Sequence, residues 1–370
     1  MKRILIFINS FSIGGTENQA VLFLKHINTQ KYHLTICTLN REGKLLNEIQ
    51  NLTENIHEFK IPSFLNPVFL FQLIRLIRLI RKERIELVHT TDFYTNVFGV
   101  IAAKVAGFPR IICSRRDLNV FLSRYKQYIQ RRLCCLADAI ITNSHNIKRF
   151  LLEYEKMDKR KIVVIPNGID LNIYSGVYDP EEITSEFALD RYDNIIIMIA
   201  NMNDPIKGHT VLLDAAQRVI RVCPKTGFLL VGEGMLRPKY EQYAKDMGLS
   251  YNLVFAGLRR DVPALLSCAD ISVLPSYSEG FPNALLESMA AGKPIVATKA
   301  AGAEIIRQDE TGFLVPTGDP KALAEKILFL LENEHLRRDM GLRGRMIAEN
   351  TYSIDEMLKS FESIYDRLLG

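Results

Sequence analysis

The sequence is conspicuous first for what it lacks. Its six cysteines (37, 113, 134, 135, 223 and 268) form no Cys-x-x-Cys pair and no ligand spacing with the seven histidines, which excludes a disulfide framework or zinc module and reads as reduced thiols of a cytosolic protein. No run of about 18 uncharged apolar residues occurs, so nothing is expected to span a bilayer; the richest run, from Val68, is broken by Arg75 and Arg78. The opening KRILIFIN is too short and too soon charged for a signal-peptide core and reads as a β-strand. Solenoid repeats and low-complexity tracts are absent. There is no Asp-x-Asp metal motif, and neither half has Gly-x-Gly-x-x-Gly with an acidic residue about 20 positions on, which disfavours a dinucleotide-dependent dehydrogenase.

What remains is an ordinary globular composition, 48% hydrophobic and 24% charged over 370 residues, a length above the roughly 250–300 residues at which single cores split into domains. Residues 1–180 carry 26 Lys and Arg against 15 Asp and Glu, a net of +11; the rest carry 21 against 27, a net of −6. The first half therefore suits an anionic surface or acceptor. Nucleic acid is not expected as a partner.

Short apolar runs alternate with helix-period segments throughout. KRILIFIN, HLTICTL, LVHT, RIICS, AIITNS and IVVIPNG read as strands in the first half, and NIIIMIA, GFLLVG, LVFAG, ISVLP and PIVAT in the second. Helical patterns fall between them, including Glu17–Ile27, Val68–Arg84 and Phe121–Leu136, and three more close the chain from Pro320. Such alternation predicts α/β domains with parallel sheets: residues 1–172, a linker at 173–193, residues 194–352, and a C-terminal helix at 353–370 crossing back to the first domain. Ligands in such sheets bind at the carboxyl ends of the strands, so motifs there carry the functional reading.

Three do. Gly14-Gly15-Thr16-Glu17 follows the first strand and opens a helix, where glycines admit close backbone approach and helix amides meet an anion; a plain turn with Thr16 as N-cap is the structural alternative. In NMNDPIKG, Lys207 stands where a cation meets a phosphate. In EGFPNALLE, Pro282 suits the first helical position, so the amides of Asn283, Ala284 and Leu285 are expected to face a ligand. Glu279 lies on the loop and Glu287 more than one turn inside the helix. A carboxylate beside a diphosphate is repelled by about 2.8 kcal/mol per charge at roughly 6 Å and an effective dielectric of about 20; hydrogen bonding to sugar hydroxyls and a ribose diol gives these two a reason to be there.

With GGTE, PNGID (166–170), KGH (207–209), EGFPNALLE and AGKPIVAT, the chain resembles family-4 retaining glycosyltransferases of GT-B fold, over nearly its whole length. The resemblance implies two Rossmann-like doubly wound domains facing a central cleft. It implies Glu279 at the donor sugar, Glu287 on the ribose, Gly14 and Gly15 by the donor phosphates, and a cationic pair at position 201 and Lys207. Gly280, Phe281, Pro282, Asn283 and Ala284 complete the implied donor site, and Glu279 and Lys207 are the expected catalytic residues. Asn201 stands where the family usually has Arg, so a second cation from Arg259 or Arg260 is one alternative. Ser114-Arg115-Arg116-Asp117 stands where many relatives carry a His; Arg115 or Arg116 is then expected to position an acceptor or phosphate, with His89 as a substitute His or as a structural residue.

The implied function is transfer of a hexose or N-acetylhexosamine from a UDP- or GDP-linked sugar to a glycan or polyprenyl-linked acceptor in cell-surface polysaccharide assembly, without metal or cofactor. It is expected in the cytoplasm, with peripheral contact to anionic membrane at the inner face as one reading of the basic helices and solvated Arg stripes as the other. A nucleotide-sugar epimerase of the same fold, or a catalytically silent sugar-nucleotide-binding subunit, is the alternative function.

Overall fold

A computed structural model of the protein describes residues 1–50, 55–64, 66–117 and 122–370. They form two compact units, residues 1–168 with 354–370, and residues 169–353. Each is built on one wholly parallel sheet.

The sheet of the first unit holds β1 (Lys2–Ile8), β2 (Tyr32–Thr38), β3 (Ile56–Glu58), β4 (Leu87–Thr90), β5 (Arg110–Arg115), β6 (Ala139–Thr142) and β7 (Ile162–Val164). Their order is β3-β2-β1-β4-β5-β6-β7. Parallel strands buried on both faces need apolar residues at every position. In β1, Ile4, Ile6 and Ile8 fill one core and Leu5 and Phe7 the other. The second unit holds β8 (Asn194–Ile199), β9 (Thr226–Val231), β10 (Leu253–Gly257), β11 (Ile271–Leu274), β12 (Ile295–Thr298) and β13 (Gly312–Val315), in the order β10-β9-β8-β11-β12-β13. Each is thus a doubly wound sheet whose strand order reverses once, between β1 and β4 and between β8 and β11.

Two expectations are corrected. Segment 173–193 is not a linker. It holds part of a 3-10 turn, Leu171–Tyr174, and a helix, Pro180–Glu186, whose N-cap Asp179 accepts from the Glu181 N–H at 2.9 Å. Tyr174, Ile183, Leu189 and Tyr192 are buried in the core of the second unit, and apolar burial of that extent fixes the segment there. The strands β3 and β13 are not among the runs read from the sequence; β3, Ile-His-Glu, offers a single apolar residue.

The last helix, Ile354–Leu369, packs on the first unit. Phe361 meets Phe23 at 4.9 Å between ring centroids, and the Tyr32 hydroxyl donates to Asp366 Oδ1 at 3.1 Å. The helices Pro67–Lys82, Phe93–Ala106 and Arg124–Cys135 lie side by side on the opposite face of that sheet. Phe121, expected to begin the third of them, lies outside the described residues.

Candidate active site

In the second unit, the loops after β8 and β11 meet at the point where strand order reverses. Asp204 accepts from the Ile206 N–H at 2.9 Å and shapes the turn Pro205–Lys207. Gly208 follows at φ +75° and opens the helix His209–Val222. Its left-handed backbone and the absence of Cβ are both required, because a Cβ there would sit 2.1 Å from the Pro275 carbonyl oxygen. That close approach lets the Tyr277 N–H donate to the Ile206 carbonyl at 2.7 Å. The two loops are thereby tied together, and Lys207 is delivered to Glu279. Its Nζ stands 2.8 Å from Oε1 and 2.9 Å from Oε2, and the buried Ser276 hydroxyl donates to Oε1 at 2.8 Å.

Eight residues past Glu279, Glu287 lies on the helix Asn283–Ala290. Among the described residues its carboxylate has neither a hydrogen-bond donor nor a cation, and burial pushes it up to about 7. Tyr174 is buried within the field of that charge, and its phenol is raised by burial first and by Glu287 next. This neighbour was missed by sequence reasoning, since it comes from the segment read as a linker. The helix is fixed on β11 by the Ser288 hydroxyl, 2.6 Å from that of Ser272.

Several site expectations change. Pro282 is the N-cap, not the first helical residue, and the Leu285 N–H is taken by the Pro282 carbonyl at 3.1 Å, so that amide is not offered to a ligand. Asn283 and Ala284 form the first helical positions, and Gly280 lies in the loop before them. Phe281 turns its ring edge-on to Tyr352 at 5.9 Å and packs on the core. Asn201 is exposed, and its Oδ1 accepts from the Asn203 N–H at 3.3 Å. Arg259 is held by two carboxylates, Asp261 at 2.8 Å and Glu186, so it is not a spare cation. Arg260 is exposed and makes no ion pair among the described residues.

In the first unit the glycine loop also departs from expectation. Gly14, not Thr16, caps the helix Gly15–His26, and it brings no side-chain cap bond. Its φ of −158° is ordinary, so the backbone itself does not require glycine there. The Glu17 carboxylate folds back over it; a Cβ would lie 2.3 Å from Oε2, a contact that a shift of the flexible Glu17 side chain relieves. Arg115 is not a ligand residue. It is 1% exposed and grips Glu155 with both Nη atoms, at 3.0 and 2.7 Å. Nor is His89 a base. It is buried, Nδ1 is 2.8 Å from the Tyr365 hydroxyl and Nε2 is 2.9 Å from Ser114 Oγ. Burial, helped by the Arg116 charge, lowers it to about 3 and keeps it neutral. Arg116 alone of the three remains available, with Nη1 donating to Asn167 Oδ1 at 3.1 Å and a buried Nε that has no acceptor.

Residues 13–173 match the family described as Glycosyltransferase Family 4, and residues 193–333 match Glycosyl transferases group 1. The chain is a family-4 glycosyltransferase. It is 25% identical over 338 residues to the UDP-Gal:alpha-D-GlcNAc-diphosphoundecaprenol alpha-1,3-galactosyltransferase of Escherichia coli, covering 85% of this chain and 84% of that one. It is 25% identical over 358 residues to the capsular polysaccharide biosynthesis glycosyltransferase CapM of Staphylococcus aureus, covering 92% of each. Anabaena HepE, solved with UDP and glucose, superposes with a TM-score of 0.89 at 20% identity, over 99% of this chain and 100% of that one. This likeness shows the GT-B fold. The glycosyltransferase thus carries both parallel-sheet domains of that fold, and its relatives include transferases of polysaccharide and capsule biosynthesis.

Proposed function

We propose that this glycosyltransferase moves a hexose or N-acetylhexosamine from a nucleoside-diphosphate sugar, most simply a UDP-sugar, to a glycan or polyprenyl-linked acceptor in cell-surface polysaccharide assembly, with retention of configuration. The observation that carries the reading is the Lys207–Glu279 pair at the strand-order reversal, with an unpartnered, desolvated Glu287 eight residues further on.

An arriving diphosphate draws Lys207 away from Glu279, and the amides at the start of the Asn283–Ala290 helix take part of the phosphate charge. Glu279, still held by Ser276, turns to the hydroxyls of the donor sugar. Glu287 accepts both hydroxyls of the ribose diol, which replace the hydrogen bonds its burial denies it. The acceptor hydroxyl attacks the anomeric carbon on the face from which the diphosphate departs. The bond from that carbon to the phosphate oxygen breaks, the bond to the acceptor oxygen forms, and the departing phosphate takes the acceptor proton. The protein positions the reactants and stabilises the leaving charge. Lys207 and the helix amides supply that charge stabilisation without metal or cofactor.

The acceptor reading is supported by the first unit. Its three adjacent helices, Pro67–Lys82, Phe93–Ala106 and Arg124–Cys135, carry nine Arg and Lys and no Asp or Glu. Leu70, Phe71, Tyr125 and Tyr128 are exposed among them, Phe71 at 62% and Tyr125 at 72%. Basic side chains near an anionic bilayer contribute about 1 kcal/mol each, and exposed aromatics suit the interface. No helix among the described residues is long and apolar enough to cross a membrane, so the contact is peripheral.

The test is a transfer assay with UDP- and GDP-sugars, with the anomeric configuration of the product read by NMR. Inversion ends the retaining mechanism. Conversion of the donor sugar to its epimer without acceptor establishes the epimerase instead, and no turnover at all with any donor leaves a binding subunit. Flotation with anionic liposomes at low salt tests the membrane face, and failure to float ends that part.

A further inference from the structure

The strand-order reversal of the second unit has one cation to share. The loops after β8 and β11, residues 200–208 and 275–282, hold a single Lys or Arg between them, Lys207, against two carboxylates, Asp204 and Glu279. Asn201 adds no charge, and Arg259 is held by Asp261 and Glu186. Asp204 is committed to its turn, where Oδ1 accepts from the Ile206 N–H. Lys207 is therefore claimed by Glu279, with Nζ 2.8 and 2.9 Å from the two carboxylate oxygens.

The two partners differ in how firmly they are held. Ser276, fully buried, donates to Glu279 Oε1 at 2.8 Å, and its own carbonyl accepts from the Thr298 hydroxyl at 2.5 Å. Glu279 is thus fixed from the side of β11. Lys207 carries its charge on a flexible four-carbon stem, and its only ion pair among the described residues is the one with Glu279. When the pair opens, the ammonium swings and the carboxylate stays. The Glu279 side chain is only 11% exposed, so water replaces the lost ammonium poorly. Depriving a desolvated charge of its partner is costly.

That cost falls unequally on the two nucleotides of a transfer reaction. A sugar nucleotide takes Lys207 for its diphosphate and returns hydroxyl donors to Glu279. The nucleoside diphosphate left after transfer takes the same lysine and returns none. We infer that the Lys207–Glu279 pair selects for the sugar-bearing nucleotide and drives release of the product: Glu279 reclaims Lys207 from the bare nucleoside diphosphate, and only a nucleotide that still carries its sugar compensates for the opened pair. This rests on the second unit taking the donor. Glu279 then has a task besides contact with the donor sugar, which is to keep the phosphate-binding lysine from retaining the product.

Calorimetric titration of the full chain with UDP, UDP-glucose, UDP-galactose and UDP-N-acetylglucosamine tests this. Glu279→Gln keeps the length of the side chain and an oxygen for Ser276, and gives up the charge that holds Lys207. UDP is expected to bind this variant about tenfold more tightly than the unmodified protein, the worth of one hydrogen bond to a charged group. The sugar nucleotides gain nothing or weaken, so the preference for them over UDP falls by about tenfold or more. In a Lys207→Ala background most of the gain in UDP affinity disappears, because the contested cation is gone. Thermal stabilisation by millimolar UDP reads this pair of variants where calorimetry lacks the range, and unfolding midpoints without nucleotide verify that each variant folds. UDP binding that does not tighten in Glu279→Gln, or that tightens as much with Lys207 absent, overturns the inference; the second result is plain repulsion between carboxylate and phosphate. An equal gain for UDP and for its sugars overturns it as well. If UDP and its sugars do not bind, GDP and GDP-mannose replace them in the same series. An unmodified protein that binds none of these is a separate outcome, and it removes the donor reading and this inference with it.

Discussion

Lys207 holds Glu279 in both hands, with Nζ at 2.8 and 2.9 Å from the two carboxylate oxygens. The pair joins the loop after β8 to the loop after β11, and among the described residues neither has a second partner of opposite charge. The free protein thus keeps a cation and a carboxylate neutralised by each other at the strand-order reversal of the second unit.

Lys207→Ala is expected to lower turnover by about 10²-fold, comparable to removing one preorganised donor from a site of developing negative charge. Stability changes less, since Ser276 still donates to Glu279. Steady-state kinetics at saturating donor measure it, and unchanged turnover removes Lys207 from the mechanism.

Glu287 gives nucleotide binding a pH dependence of definite sign. Its carboxyl is raised to about 7 by burial, so it is half ionised near neutrality and protonated below. Two ribose hydroxyls donate best to the ionised form, so affinity for UDP is present above about pH 7 and lost as pH falls through it. Between pH 8 and pH 6 the ionised fraction, and with it the affinity, drops by about tenfold. Calorimetric titration at both values reads the drop. Glu287→Gln binds more weakly at pH 8 and shows a flat profile; a flat profile in the unmodified protein rejects the assignment.

The sequence made the sheets legible because the buried stretches of parallel strands are continuously apolar, as Ile4–Ile8 in β1 illustrates. In β3, Ile-His-Glu, only one residue is apolar, so no run is there to be seen. Lys207, Glu279 and Glu287 were legible because each belongs to a motif following a strand. What local spacing did not carry was the fate of side chains whose partners are distant in sequence. Arg115 and Arg116 are adjacent, yet strand alternation sends them to different surroundings, and the partner that claims Arg115 is Glu155. The hydroxyl that occupies His89 belongs to Tyr365, on the last helix. Tyr174 was hidden because the segment around it lacks a period, although Asp179-Pro180-Glu181 carries the signature of a helix start.

His89→Gln is expected to leave transfer activity within about twofold and to cost roughly 1–3 kcal/mol of stability, the penalty of disturbing buried hydrogen bonds. The His89 ring is depressed to about 3 in the fold against 6.5 for the ordinary group. The unfolded chain therefore takes up a proton that the folded chain refuses. The stabilisation is complete above pH 6.5 and is lost as pH falls from there toward 3. Thermal unfolding across that range measures it, with a shallower acid limb in the variant. Activity lost in a folded His89→Gln protein restores the histidine to the reaction.

Arg115 and Glu155 make the sharpest contrast between breaking a pair and replacing it. Arg115 is 1% exposed, with Nη1 and Nη2 at 3.0 and 2.7 Å from the carboxylate, and its Nε has no partner. Two desolvated charges repay their transfer from water only through each other, so removing one leaves the other buried and alone, at about 3–5 kcal/mol. Arg115→Met and Glu155→Leu are each expected to lose that much in urea unfolding. The double variant recovers most of it, because two apolar side chains of similar volume leave no unpaired charge. A double variant as unstable as the sum of the singles shows that the pair is not coupled. Folded double variant that retains transfer places the function of the Ser-Arg-Arg-Asp segment on Arg116, since Arg115 then acts on the fold alone.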